Sequence, residues 1–265
     1  MTATTHIEPK TAPIRWAVDD SLAMIQRSIR HSTRQLDSLL VTVALPVLLM
    51  LMFVYVFGGA IDTGGDYVNY VVPGIILLCT GFGASTTAVD VASDMTEGII
   101  DRFRSLPIRS SAVLTGHVVA SVVRNAFATV LVVGVAYLTG FRPTAGPVEW
   151  MATAGVLLVW VLAISWLSVC LGLLANSAEA ASGFTFFVLF LPYLSSAFVP
   201  TDTMPVALRT IADHQPITPT IETVRGFLIG TPVGSNGWLA LAWCGSLLLA
   251  SFLTASALFR RRSAR

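Results

Sequence analysis

Six long apolar runs, separated by short polar joints, constrain this 265-residue chain more than any motif does. They extend from Ser38 to Phe57, Tyr67 to Ala88, Val113 to Leu138, Trp150 to Leu174, Ala181 to Val199 and Trp238 to Phe259. A helix rises ~1.5 Å per residue, so ~20 residues cross the ~30 Å hydrocarbon core of a bilayer. Hydrocarbon offers the backbone no hydrogen-bond partners, so runs of this length satisfy themselves as helices. The expectation is an all-α membrane protein with six transmembrane helices.

Charged residues make up only 12% of the chain and mean hydropathy is +0.75, against ~25% charge in an ordinary soluble domain. With a net charge of +1, no global field argues for nucleic acid as a partner. Cys79, Cys170 and Cys244 are three in number, far apart and inside apolar runs. They form neither a disulfide framework nor a metal-ligand spacing, and read as small buried hydrophobes. The polar stretch before the first apolar run is too long for a signal peptide, so the first run is expected to remain as an anchor.

The position of the basic residues orients the chain. Lys10, Arg15, Arg27, Arg30 and Arg34 precede the first run, Arg102, Arg104 and Arg109 lie between the second and third, and Arg260, Arg261, Arg262 and Arg265 follow the sixth. If the runs alternate across the membrane, these share one side. The opposite joints hold only Arg142, Arg209 and Arg225. The positive-inside rule therefore places both termini in the cytoplasm.

Three segments flank or interrupt the runs. Residues 1–37 read as a cytoplasmic tail followed by an amphipathic interfacial helix. In that helix Val18, Leu22, Ile25 and Ile29 face the lipid boundary, and Arg27, Arg30 and Arg34 face anionic headgroups. Residues 38–259 form the six-span domain, and 260–265 a basic cytoplasmic tail. The connection Pro200–Gly237 is too long for a turn. Thr203 is placed to cap a short helix from Pro205 to about Ala212, and Thr218-Pro219 to start another that Gly230 stops after Ile229. A pivot at His214-Gln215-Pro216 makes this an extracytoplasmic helical hairpin before the last span, either re-entrant into the outer leaflet or lying flat on it.

The most distinctive polar segment is Val89 to His117. Asp90, Asp94, Glu97 and Asp101 recur at spacings of 4, 3 and 4, an acidic stripe if the second span continues as a helix into the cytoplasm. Arg102, Phe103, Arg104 and Arg109 follow, and Pro107 ends the helix. A short helix with charged flanks and an exposed Phe suits docking into a groove of another protein. Glu97-Gly98, Arg102, Leu106-Pro107 and Gly116 match the E-G…R…L-P…G pattern of type-2 ABC exporter permeases, in particular the daunorubicin-resistance subfamily (multidrug and lipid exporters). The run from Leu194 to Thr218, then Glu222 and Arg225-Gly226, resembles the same subfamily's passage into its outer hairpin. Many members carry Lys where this chain has His117, and Asn where it has Gln215.

The resemblance implies a membrane subunit without its own engine. Asp94, Glu97, Gly98, Asp101, Arg102, Phe103, Arg104 and Pro107 would form the contact with a separate ABC ATPase subunit. A second permease copy or a sister permease would complete the pathway, set among the lipids of a bacterial cytoplasmic (inner) membrane. Pro205, His214, Gln215, Pro216, Glu222 and Arg225 would belong to the outer hairpin. ATP and Mg would sit on the partner, and no cofactor on this chain. The residues agree independently: no G-x-x-x-x-G-K-[ST] occurs, and the sole lysine is Lys10. No catalytic or metal motif is present, so the chain is expected not to be an enzyme.

Arg124 lies inside the third run, where a mid-helix charge costs roughly 2.5–3.5 kcal/mol on insertion scales. Asp90 and Glu179 are its candidate partners; Arg124 and Glu179 therefore read as a structural pair or as part of a pathway. The aromatic residues of the fifth run suit a lipophilic route, lipid contact or packing. Gly81 with Ser85, and Ser168 with Gly172, allow close helix approach. The function expected is export of a hydrophobic or amphipathic drug or lipid. An ion-coupled transporter or a membrane scaffold are the alternatives, although the spans hold few central acids.

Overall fold

In the computed structural model, residues 36–61, 63–97 and 110–263 are described. The amphipathic helix expected before residue 36 and the loop residues Gly98, Asp101, Arg102, Phe103, Arg104 and Pro107 lie outside them. All regular structure among the described residues is helical. The helices are α1 (Leu36–Met52, continued by a π turn Phe53–Phe57), α2 (Tyr67–Thr96), α3 (Ser110–Leu138) and α4 (Pro147–Leu174). Then come α5 (Ala178–Phe190, continued by a 3-10 turn Leu191–Leu194), α6 (Val206–Asp213), α7 (Ile217–Ile229) and α8 (Asn236–Ser263).

Four of these, α2, α3, α4 and α8, are long and apolar enough to cross a membrane. The first and fifth runs form shorter apolar helices, Thr42–Phe57 and Ala178–Leu194. The fifth departs most from expectation, because regular helix stops at Phe190 rather than reaching Val199. Pro192 supplies the reason: it brings no N–H, and its ring crowds the carbonyl four residues earlier. The chain tightens into a single 3-10 turn and then runs irregularly to Pro200.

α2 is the axle of the bundle. It packs against α1, α3, α4, α5 and α7, and 72% of its most apolar window is buried, against 22% for α8, which leans on α4 and α7. Polar bonds between helices fix the register. Trp160 Nε1 of α4 donates to Thr80 of α2 at 2.9 Å, the hydroxyls of Ser121 (α3) and Ser165 (α4) meet at 2.8 Å, and those of Ser85 (α2) and Thr185 (α5) at 2.9 Å. Each such contact contributes on the order of 0.6 kcal/mol within a membrane. The three cysteines are free and buried at helix crossings; Cys170 Sγ lies 2.9 Å from the Ser251 carbonyl of α8.

The small residues expected at close approaches work inside the subunit. Gly172 of α4 faces α2 so tightly that a Cβ there would lie 2.5 Å from the Ala88 carbonyl oxygen and 2.9 Å from Val91 Cβ. Phe184, Phe186, Phe187 and Phe190 on α5 are exposed, whereas Phe198, beyond the break, is buried and stacks on Phe53 with ring centroids 4.2 Å apart.

Candidate functional site: two polar centres joined by α2

The first centre lies near the Glu97 end of α2. The helix runs eight residues beyond the expected Ala88, carrying Asp90 and Asp94 with it. Both carboxylates turn toward α3 rather than away from the bundle. Arg124 donates from Nη2 to the Thr87 hydroxyl at 3.1 Å, and its Nη1 lies 3.5 Å from Asp90 Oδ2. Its side chain is 3% exposed, that of Asp90 22%. Arg124 thus meets Asp90 and not Glu179, which is exposed on the first turn of α5. One turn nearer the end, His117 Nε2 lies 3.2 Å from Asp94 Oδ2.

The acidic stripe, at spacings of 4, 3 and 4, has one helical face, and here its first two members use that face on Arg124 and His117. Glu97, the residue capping α2, is exposed, its N–H donating to the Ser93 carbonyl at 2.9 Å. Of the two expected docking residues among the described ones, Asp94 and Glu97, it is the one presented to solvent.

The second centre lies at the opposite end of α2, around the break in α5. The hairpin forms as two helices, with differences in detail. Thr203 does not cap α6; its hydroxyl donates back to the Pro200 carbonyl at 2.7 Å within a 3-10 turn, and Pro205 stands at the cap position. α7 begins one residue earlier than expected, at Ile217 after Pro216, and ends at Gly230 with φ 76°. The two arms differ in burial. α6 is exposed along nearly its whole length, while α7 is buried among α2, α4 and α8.

Irregular backbone inside a bundle needs donors for its free carbonyls. The hairpin provides them. Gln215, 6% exposed, donates from Nε2 to the carbonyls of both Leu191 (3.2 Å) and Leu194. Thr218 Oγ1 accepts from the Ser196 N–H at 3.4 Å. Arg225 donates from Nε and Nη2 to the Tyr70 carbonyl (3.2 and 3.0 Å), from Nη2 to the Ser196 carbonyl (2.8 Å), and from Nη1 to Glu222. Tyr67 adds a bond from its hydroxyl to the Phe198 carbonyl at 2.9 Å. At Gly74 the backbone of α2 comes so near this segment that a Cβ would sit 2.7 Å from Ala197 Cα.

The structure therefore gathers Gln215, Glu222 and Arg225 around the break, and leaves Pro205 and His214 exposed. Among the described residues His214 bonds locally, Nδ1 to the Thr210 carbonyl at 2.8 Å. Sequence reasoning missed Tyr67, Tyr70 and Ser196, and read Thr218 only as the start of a helix. All four act through backbone groups or on them, and main-chain groups leave no side-chain signature to read. No group of three or more His, Cys, Asp or Glu side chains able to hold a metal ion occurs among the described residues.

A six-run layout, a polar extension of α2 and a hairpin locked to a broken α5 coincide with a match of residues 20–229 to the ABC-2 type transporter family. The chain belongs to that family. Among curated relatives of the permease, the daunorubicin resistance ABC transporter permease protein DrrB1 of Streptomyces coeruleorubidus is 30% identical over 217 residues, covering 81% of this chain and 77% of that one. The probable doxorubicin resistance ABC transporter permease protein DrrC of Mycobacterium tuberculosis is 23% identical over 274 residues, with 99% of each chain covered. The permease is thus a multi-pass bacterial membrane protein of the drug-resistance subfamily.

Proposed function

We propose that this chain is the transmembrane subunit of an ATP-driven exporter that moves a hydrophobic or amphipathic compound, drug or lipid, outward across the bacterial cytoplasmic membrane. A separate ATPase supplies the energy, carrying ATP and Mg, and a second permease copy or sister chain completes the pathway. In this reading α1 and α5 join the four long helices as crossings, giving six. The basic residues set both termini and the Glu97 end inside, and α6 and α7 form a re-entrant hairpin whose inner arm is α7.

The observation that carries this reading is α2. It is one helix of 30 residues, about 45 Å long at 1.5 Å per residue, held at one end by Arg225 and presenting Glu97 at the other. A push near Glu97 from an ATPase closing on its nucleotide displaces the whole rod, and the hairpin bonded to Tyr70 must move or break its bonds. Coupling of this kind is a shift between two states with different contacts, not a continuous flexing.

The test is co-reconstitution with candidate ATPase subunits in vesicles. Glu97→Ala or Arg102→Ala is expected to leave insertion intact and to weaken ATPase binding or transport. Undiminished transport by both variants would refute the docking role.

The broken α5 also favours a second reading, since ion-coupled carriers build their sites at broken helices. Here, however, Gln215 and Arg225 already occupy the freed carbonyls. Transport that survives ATP depletion and collapses with a proton or sodium gradient would favour that alternative. A partner screen that recovers no ATPase would favour a scaffold.

A further inference from the structure

Beside the Arg225 lock lies a cavity of about 690 Å³, within the range of small-molecule sites. The start of α2, the α3–α4 connection, the irregular segment after α5 and the buried helix α7 border it, and it opens to the surface. Four carboxylates (Asp66, Asp202, Asp213, Glu222) and two guanidiniums (Arg142, Arg225) line it, a formal excess of two negative charges.

These charges are not equally available. Arg225 is bonded to Tyr70, Ser196 and Glu222, and Asp213 lies 3.5 Å from Arg209. Asp66 and Asp202 are exposed and have no ion pair among the described residues. Arg142 is exposed too. Its Nη1 donates to the Tyr137 and Phe141 carbonyls, both at 2.9 Å, while Nε and Nη2 have no acceptor among the described residues. The lining also includes Ser196. It is 3% exposed, and its hydroxyl has no partner among the described residues. A buried hydroxyl left without a bond is costly unless something else supplies one.

The carboxylates are distributed round the wall, without three metal-ligating side chains converging among the described residues. That distribution suits an extended organic ion better than a bare divalent cation, which gathers its oxygens closely. Two unpaired carboxylates and a guanidinium with two nitrogens free among the described residues call for a ligand carrying both signs.

We propose that this cavity binds a zwitterionic phosphoethanolamine group, its protonated amine drawn to Asp66 and Asp202 and its phosphate to Arg142. Arginine presents a planar fork matched to phosphate oxygens. The ligand comes from an outer-leaflet lipid headgroup or from a free solute of the same chemistry. The inference rests on the permease reading only in taking this end of the bundle as the outer one.

Titration calorimetry tests it, using the full chain in phosphatidylglycerol nanodiscs and water-soluble glycerophosphoethanolamine as the probe. Saturable binding is expected, tighter than that of glycerophosphoglycerol, which lacks the amine, or of ethanolamine, which lacks the phosphate. Asp66→Asn combined with Asp202→Asn, and separately Arg142→Gln, should each weaken it roughly threefold or more, while Arg142→Lys retains part of it. Competition by phosphatidylethanolamine built into the nanodisc assigns the site to a lipid, and binding without competition assigns it to a solute. No saturable binding, equal binding of glycerophosphoglycerol, or indifference to both substitutions overturns the proposal. No ATPase takes part, so a negative result leaves the exporter reading standing, and a failure of ATPase coupling leaves this binding intact.

Discussion

The Arg225 guanidinium carbon lies 3.8 Å from the centroid of the Tyr70 ring, while the same group donates twice to the Tyr70 carbonyl. One side chain of α7 thus grips α2 by ring and backbone together, and reaches Ser196 beyond the α5 break with its remaining capacity. Arg225→Met removes every one of these bonds and leaves Glu222 without its counter-charge. Breaking a fully buried pair from one side costs about 3–5 kcal/mol; Glu222 keeps 28% of its side chain exposed, so the expected loss lies below that range. Arg225→Lys should fall between the two, because an ammonium keeps the charge but has no fork to span three acceptors. Thermal unfolding of the purified permease in detergent measures both; an unchanged melt for Arg225→Met would mean that the lock contributes nothing.

The pairing of Arg124 with Asp90 makes a different prediction. Asp90→Asn strands a buried guanidinium whose Nε already lacks a partner among the described residues, so it should destabilise the protein clearly. Arg124→Met in the same chain removes the stranded charge and should recover much of the loss, because replacing both members of a buried pair is cheaper than removing one. A double-mutant cycle on the melting temperature reads the coupling. If the double variant is simply the sum of the two single ones, the pair is not coupled.

Two glycines of α4 should respond in opposite directions to alanine. At Gly172 the new methyl meets the Ala88 carbonyl oxygen at 2.5 Å, and forcing α4 away from α2 costs about 1–3 kcal/mol. At Gly155 nothing lies within 4 Å, so Gly155→Ala should raise stability by up to about 1 kcal/mol through helix propensity. Unfolding measurements on both variants give the comparison. A loss at Gly155 would place another chain against that face of α4.

Gln215→Leu leaves the Leu191 and Leu194 carbonyls without their donor in the interior, at about 1–3 kcal/mol per unsatisfied group. The reading of α2 as a rod predicts a specific phenotype: ATP hydrolysis by the assembled transporter persists while transport falls several-fold, since the hairpin no longer follows the broken helix. Parallel assays of hydrolysis and vesicle transport decide this. Equal loss of both would make Gln215 a folding residue only.

The apolar runs, the hairpin and its boundaries near Gly230 were legible because each depends on local chemistry: hydropathy over a span, a proline that cannot donate, a glycine that ends a helix. What depended on neighbours was not. The acidic stripe was readable as one face of a helix, but only α3 decides that Asp90 and Asp94 turn inward to Arg124 and His117, leaving Glu97 outside. Pro192 stood in plain view within an aromatic run, yet a proline in a membrane helix either kinks it or ends it. The outcome at Pro192 depended on Gln215 and Arg225 being in reach to bond the exposed carbonyls. Arg225 was recognisable as part of the hairpin, whereas two of its three acceptors are main-chain oxygens, identical in every residue. Gly172 was readable as a close-approach residue but not as one used within a single chain.

The unequal burial of the two hairpin arms has a practical consequence. From Pro205 to Ile211 every residue of the outer arm is exposed, so evolution is free to rewrite that surface as long as Gln215 and α7 keep their seats. In the exporter reading, an epitope or fluorophore grafted onto α6 would therefore follow the hairpin with little disturbance to the bundle, reporting turnover from the side of the membrane opposite the proposed ATPase.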